Sequence, residues 1–159
     1  MVKQSAGILL YRKNDNQLQV FLVHPGGPFF KNKDIGAWSI PKGEFLDDED
    51  PLVAAKREFI EETGQSAEGT FIRLEPVRLK SGKLVYAWAV EGDIDHETIV
   101  SNVFEIEWPP KSGKRQAFPE IDRAGWFDVE IAKEKINAGQ VGLIENLMGH
   151  LQRSPSGEA

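Results

Sequence analysis

The sequence predicts a single mixed α/β domain in which one helix packs within the fold. The chain has 159 residues, a length that suits one hydrophobic core. It is 40% hydrophobic and 28% charged, which is near the globular average and excludes disordered, collagen-like and coiled-coil proteins. Short apolar runs alternate with polar turns, and no internal repeat or interdomain linker interrupts them. We therefore assign residues 1–153 to one domain and expect a disordered tail at 154–159.

Composition and charge exclude several classes of function. The net charge of -6 argues against bulk nucleic-acid binding, because counterion release requires a basic surplus. The chain has no cysteine, which excludes disulfide frameworks and Cys nucleophiles and fits a reducing compartment. No apolar run reaches the length of about 18 residues that a membrane span needs. We expect a cytoplasmic protein that does not bind membranes.

The first third of the chain predicts two strands and a long loop. Ser5–Arg12 and Leu18–His24 are apolar and β-rich, and the polar segment 13–17 between them predicts a turn. The segment Pro25–Gly36 is rich in Gly, Pro, Phe and Lys. Its length favours a functional loop over a plain connector.

Helix signals surround the segment Pro51–Thr63. Asp50 suits the N-cap, proline suits the first helical position, and Gly64 suits a left-handed cap after the last turn. The apolar residues fall on two sides of this helix, which predicts two buried faces. One side carries Leu52, Ala55, Phe59 and Thr63, and the other carries Val53 and Ile60.

The second half predicts further strands and two helical stretches. Lys83–Glu91 is nearly all apolar and therefore predicts a central strand. The remaining predicted elements are strands at Thr70–Leu79 and Gly125–Val129, an irregular loop at Pro109–Arg115, and helical stretches at Glu130–Asn137 and Gly139–Gln152.

Three carboxylates share one side of the predicted central helix. Glu58, Glu61 and Glu62 fall within a wedge of about 100°. Their mutual repulsion destabilises the helix, whereas a hard divalent cation would turn it into coordination by carboxylate oxygens. The alternative interpretation is a solvated acidic face, which is the usual place for glutamate.

The spacing of residues around this helix resembles the Nudix box, the signature of the Nudix hydrolases. Seven fixed identities of that motif are present: Gly43, Glu49, Arg57, Glu58, Glu61, Glu62 and Gly64. One position departs from it, because Gln65 stands where the family has a hydrophobic residue. The resemblance implies an α/β/α sandwich with a mixed sheet, in which the central helix carries the box carboxylates.

The same resemblance implies a reaction and a ligand set. Family members cleave a nucleoside diphosphate linked to another moiety, by water attack at phosphorus with Mg²⁺ or Mn²⁺, and occur as monomers and homodimers. The implied metal ligands are the carboxylates Glu58, Glu61 and Glu62 and the backbone carbonyl of Gly43 or its neighbour. Arg57 matches the residue that orients the first helix glutamate, and Glu49 matches a supporting ion-pair partner.

A further carboxylate, as ligand or general base, often follows the box in this family, some six residues before a Trp. Glu120 stands in that place before Trp126. Glu105 and Glu107 are rivals in an alternating stretch that predicts a strand or its edge. In the remaining alternative no such residue exists and Glu58 is the base.

The residues before the box bear on the substrate. Trp38–Gly43 reads W-S-I-P-K-G, which resembles branches acting on diadenosine polyphosphates, inositol polyphosphates and capped RNA. Lys42 and His24 are candidate substrate contacts, the first to phosphate and the second to phosphate or base, and Phe30 and Trp88 are candidates to stack a nucleobase. A solvated lysine, a structural histidine and core aromatics are the alternatives, and core packing is favoured for each aromatic.

The favoured function is therefore a metal-dependent pyrophosphohydrolase acting on a small nucleotide. Dinucleoside polyphosphates come first, followed by ADP-ribose or nucleoside diphosphate sugars, then modified nucleoside triphosphates, and then 5′-triphosphate or capped RNA. A non-catalytic module that senses nucleotides is the main alternative, and an acidic interaction domain with a chance motif is the last.

Overall fold

The computed structural model of the protein describes residues 3–153, so the predicted tail at 154–159 lies outside the described part. Nine strands and three α-helices follow one another along this part of the chain. The strands are β1 Gln4–Asn14, β2 Gln17–Pro25, β3 Lys42–Glu44, β4 Ile72–Arg73, β5 Val77–Arg78, β6 Leu84–Glu91, β7 Val103–Glu107, β8 Arg115–Pro119 and β9 Ile121–Asp128. The helices are α1 Pro51–Thr63, α2 Val129–Lys135 and α3 Val141–Arg153.

Seven of the strands form one mixed sheet, and β7 and β8 form a separate hairpin. The order across the sheet is β4-β6-β1-β2-β9, with β3 beside β1 and β5 beside β6. β6 lies between β4 and β1 and is therefore an interior strand, as predicted. β1 runs parallel to β6 and antiparallel to β2. Asp15 and Asn16 between β1 and β2 both have positive φ, as a two-residue hairpin turn requires.

The two faces of the sheet bury separate apolar clusters. β1 alternates between them, so that Leu9 packs in the cluster under α2 and α3 whereas Ile8 packs in the cluster under α1. Period-two alternation is what places successive side chains on opposite faces of a strand. The architecture is the predicted α/β/α sandwich.

Helix α1 begins and ends where the sequence predicts. Asp50 caps the N-terminus by accepting a hydrogen bond from the Val53 N–H at 3.0 Å, and Gly64 closes the C-terminus with φ 76°. The prediction of two buried faces is wrong, because Val53 and Ile60 are 59% and 48% exposed. Only one side of α1 packs on the sheet, and the other side faces outward.

Three other elements differ from the sequence prediction. The strand expected over 70–79 is two short strands, because Pro76 between them has no N–H to donate to a sheet. β9 begins at Ile121, four residues before the predicted start. The irregular loop expected at 109–115 is the turn of the β7–β8 hairpin. Within residues 3–153, no helix is long and apolar enough to cross a membrane.

Candidate active site

The site begins where α1 passes the short strand β3. Gly43 in β3 lies against the Glu58 carboxylate so closely that a Cβ at position 43 would overlap it. β3 is held in place by antiparallel pairing with β1, where Gly43 is opposite Ala6. The glycine of the motif is thus required by close approach, because any side chain there would displace the glutamate.

Arg57 connects the carboxylates of the helix to the loop before it. Its guanidinium donates to Glu58 at 2.7 Å and to Glu61 at 3.4 Å. The other edge of the guanidinium donates to both carboxylate oxygens of Glu49 at 3.0–3.1 Å. Bidentate pairing of this kind fixes the orientation of both partners. Arg57 thus holds Glu49 in the loop and Glu58 and Glu61 in the helix together.

Burial and crowding raise the pKa values of three carboxylates at the site. Desolvation raises the pKa of Glu62 to about 8, against the opposing hydrogen bond from the Lys42 N–H at 3.2 Å. The pKa of Glu58 is raised by desolvation first and by Glu61 second, despite the neighbouring guanidinium. The pKa of Glu120 is raised for the same two reasons. Raised carboxylate pKa values in a cleft are typical of functional sites.

Glu120 is the one carboxylate of the three rivals that reaches the site. It lies between β8 and β9, and its N–H donates to the Asn102 carbonyl at 2.8 Å. The Asn102 N–H in turn donates to the Glu61 carbonyl in α1 at 2.9 Å. Glu105 instead pairs with Arg115 on the hairpin, and Glu107 accepts from the Gly113 N–H.

A cavity of about 390 Å³ opens beside these carboxylates. Four of the predicted site residues line it together: Phe30, Lys42, Glu62 and Glu120. The pKa of the Lys42 ammonium is lowered, chiefly by burial and secondly by Lys83. A partly desolvated cation beside a carboxylate cluster can hold an anionic group such as phosphate.

His24 and Trp88 are not brought to this cavity, so their prediction as substrate contacts is corrected. His24 is fully buried, with its ring nitrogens 2.8 Å from Asp122 Oδ1 and 2.7 Å from the Lys33 carbonyl. Trp88 is 9% exposed and packs in the cluster beneath α1. Both lie on interior strands, so their side chains are enclosed by the fold.

The structure adds lining residues that sequence reasoning missed, namely Ser39, Phe104, Asn137 and Gln140. Gln140 is buried, accepts from the Ile40 N–H at 3.1 Å and donates to Ser39 Oγ at 3.1 Å. These partners are about a hundred residues away in sequence, so no local pattern predicts them. Phe104 packs over Gly27. The alternation of apolar and polar residues along β7 is the sequence feature that could have predicted which side of the strand Phe104 occupies.

The donor set fits a hard divalent cation. Among residues 3–153, no three His, Asp or Glu side chains are grouped closely enough to hold a metal ion as they stand. Arg57 holds two of the helix carboxylates, so binding requires these side chains to rotate. Carboxylate and carbonyl oxygens without thiolate or imidazole are the ligands of Mg²⁺ and Mn²⁺. The raised pKa values show that burial and crowding disfavour the ionised carboxylates, a penalty that a bound cation would offset.

An α/β/α sandwich that presents two glutamates to a cavity beside a half-buried lysine is typical of phosphate-processing domains. A family model of the NUDIX domain matches residues 1–147, and the chain belongs to the Nudix family. Such a domain indicates a hydrolase, and Nudix hydrolases generally use divalent metal ions and act on phosphoric anhydrides.

Solved structures share this fold. The C. elegans Ap4A hydrolase binary complex is 22% identical, with a TM-score of 0.63, covering 95% of this chain and 98% of that one. The NUDIX domain of Shewanella oneidensis NrtR complexed with ADP ribose is 17% identical, with a TM-score of 0.63, covering 95% and 89%. The E. coli ORF135 protein is 20% identical, with a TM-score of 0.56, covering 96% and 93%. No curated protein sequence matches the chain. At these identities the likeness shows the fold alone.

Proposed function

We propose that this protein is a Mg²⁺- or Mn²⁺-dependent pyrophosphohydrolase that cleaves dinucleoside polyphosphates, with diadenosine polyphosphates as the first choice. One observation carries the proposal: the Glu62 carboxylate of α1, the Glu120 carboxylate and the Lys42 ammonium line one cavity, and Glu58 and Glu61 lie near enough to contribute to the raised pKa values of Glu62 and Glu120 respectively. A polyphosphate binds such an acidic cleft only with cations between them, so metal dependence is absolute.

The metal ligands in this proposal are the carboxylates Glu58, Glu61 and Glu62 and the Gly43 carbonyl, with Glu120 as a further oxygen donor. A bound divalent ion supplies charge neutralisation for the phosphates and acidifies water. Arg57 orients Glu58 through its 2.7 Å hydrogen bond. The close packing of Gly43 on Glu58 keeps the Gly43 backbone beside the carboxylate.

Glu120 is the proposed general base, and Glu58 is the alternative. In the reaction the water oxygen bonds to phosphorus, the bridging P–O bond breaks, and the leaving phosphate departs with the bonding electron pair. The Glu120 carboxylate takes the water proton. Its half-buried position and raised pKa, due to desolvation and then to Glu61, suit a base that must hold a proton briefly.

Lys42 and Phe30 are the proposed substrate contacts. Both line the cavity, where the ammonium would bind a phosphate and the half-exposed ring would stack a nucleobase. The Pro-Lys-Gly sequence before the box supports dinucleoside polyphosphates over nucleotide sugars, because it resembles the branches that act on them.

The test is incubation with diadenosine tetraphosphate and Mg²⁺, with products resolved by chromatography and Glu62→Gln as the control. We expect ATP plus AMP from the wild type alone. No product with either Mg²⁺ or Mn²⁺, from protein shown to be folded, would move ADP-ribose and nucleoside diphosphate sugars to first place. An unaltered rate in Glu62→Gln would contradict the metal-ligand assignment.

A further inference from the structure

A chain of backbone hydrogen bonds crosses the site and joins three segments that are distant in sequence. The Glu61 carbonyl accepts from Asn102 at 2.9 Å, the Asn102 carbonyl accepts from Glu120 at 2.8 Å, and the Glu120 carbonyl accepts from Gly26 at 2.9 Å. The Glu120 backbone is therefore fixed on both sides. One side leads to the carboxylate helix, and the other leads to the loop that carries Phe30.

The connection 99–102 lies tightly against the end of α1. The Val100 N–H donates to the Thr63 carbonyl at 2.9 Å. A Cβ on Gly64 would lie 2.8 Å from the Val100 carbonyl oxygen, closer than real Cβ contacts. The position of this connection is therefore fixed relative to the last turn of α1.

The Ser101 side chain links this connection to the residues around Glu120. Its Oγ accepts from the Ile121 N–H at 3.1 Å and lies 3.0 Å from the Asn102 carbonyl and 3.3 Å from the Ile121 carbonyl. The hydroxyl has one proton and donates to one of these carbonyls at a time. Ser101 is therefore hydrogen-bonded to Ile121, the residue that follows Glu120.

We propose that Ser101 is a positioning residue, which holds the Glu120 carboxylate at its distance from α1. Gly26 completes the same arrangement from the other side, because a Cβ there would overlap the Pro119 carbonyl oxygen. The inference rests on the proposed function, since it gives Ser101 a purpose only if Glu120 acts in the reaction. A carboxylate misplaced by about 1 Å can lose up to two orders of magnitude in rate.

The experiment compares Ser101→Ala with Thr98→Ala in steady-state hydrolysis of the substrate found for the wild type. Thr98 is the matched control, because its hydroxyl also donates to a backbone carbonyl at 3.1 Å and accepts a hydrogen bond, but its partners are Asp95 and Gln65 and not Asn102 and Ile121. We expect Ser101→Ala to lose about tenfold in kcat with KM nearly constant. Thr98→Ala should stay within about twofold, and Ser101→Thr, which keeps the hydroxyl, should regain most of the rate.

A double-mutant cycle separates positioning from general loosening of the fold. In a Glu120→Gln background, Ser101→Ala should cost almost nothing further, because the group that it positions is already disabled. If the double mutant instead lost rate by the product of the two single-mutant losses, the proposal would be overturned. In metal-free protein, hydrogen exchange of the Ile121 amide should accelerate in Ser101→Ala and not in Thr98→Ala; equal exchange in both variants would also overturn it.

The two proposals fail in different ways. A normal rate in Glu120→Gln beside an inactive Glu62→Gln would reject Glu120 as base, and the role of Ser101 would be rejected with it. A large loss in Glu120→Gln beside equal rates in Ser101→Ala and Thr98→Ala would reject the role of Ser101 alone. Gly26→Ala should lower kcat more than Ser101→Ala, and an unchanged kcat in folded Gly26→Ala would count against the positioning arrangement.

Discussion

Helices α1 and α3 both have 13 residues and cover opposite faces of the same sheet, yet they contribute different things. α3 buries Leu143, Ile144 and Leu147 completely. α1 buries mainly two alanines and Phe59, whereas its Glu58 lies against β3 and its Glu62 lines the cavity. One helix stabilises the domain through packing, whereas the other gives up part of that stability to carry like charges close together. The residues that stabilise the domain and the residues that form the candidate site therefore lie largely on opposite faces of the sheet.

The strongest test of this comparison makes the same change on each helix. Glu62→Gln on α1 should lower kcat by about 10³-fold, since a metal ligand contributes several kcal/mol of transition-state charge stabilisation. Glu145→Gln changes an exposed glutamate of α3 and should leave kcat unchanged. Steady-state rates of the purified proteins check both. Comparable losses in the two variants would remove the distinction between the helices.

A core truncation in α3 should have the opposite effect, lowering stability while leaving the rate unchanged. Leu147→Ala in α3 should cost about 3 kcal/mol of unfolding free energy, because it deletes fully buried methyl groups. The rate per folded molecule should stay the same. Denaturant unfolding and active-site titration measure the two quantities. The matched change on α1 is Val53→Ala, which is 59% exposed and should cost far less; a large loss there would mean that the outer side of α1 is covered.

A carboxylate outside both helices sharpens the comparison further. Glu120→Gln should lower kcat by about 10²-fold, at the lower end of the range for a lost general base. Glu105→Gln is its control, because that residue pairs with Arg115 on the exposed hairpin. We expect it to keep the wild-type rate. If Glu105→Gln had the larger loss, the base would lie on the hairpin and not at its junction with β9.

The smallest expected effect is a pH dependence of stability in metal-free protein. The folded-state pKa of Glu62 is raised to about 8, so the folded state binds this proton more tightly than the unfolded state. The resulting stability is complete below the unfolded pKa of about 4.3 and is lost as pH rises through the folded value.

In EDTA, the Tm of the wild type should therefore fall more steeply between pH 5 and pH 9 than the Tm of Glu62→Gln. Thermal scans of both proteins across this range provide the measurement. A steeper fall in the glutamine variant would show that Glu62 is ionised in the metal-free fold. Saturating Mg²⁺ should remove the difference in slope, because a bound ion favours the carboxylate.

The carboxylate helix was predictable from local signals. Asp50, Pro51 and Gly64 act through backbone groups within one turn, and so they set the bounds of α1 wherever it lies in the fold. The approach of Glu120 to α1 was expected only from a family resemblance, and the Asn102 carbonyl that holds it was not predicted at all. The sequence indicates Phe30, Lys42, His24 and Trp88 alike as candidate substrate contacts, but of these four only Phe30 and Lys42 line the cavity.

Local sequence is sufficient to predict the fold class, the bounds of α1 and the set of glutamates on its surface, because helix caps and residue spacing act over a few residues. Long-range packing was needed to establish which side of α1 is buried, that Glu120 and not Glu105 or Glu107 lines the cavity, and that His24 is enclosed. These outcomes depend on backbone hydrogen bonds and packing between segments dozens of residues apart, such as Glu61, Asn102 and Glu120. Such contacts produce no periodic pattern in the sequence, because their partners come together only when the chain folds.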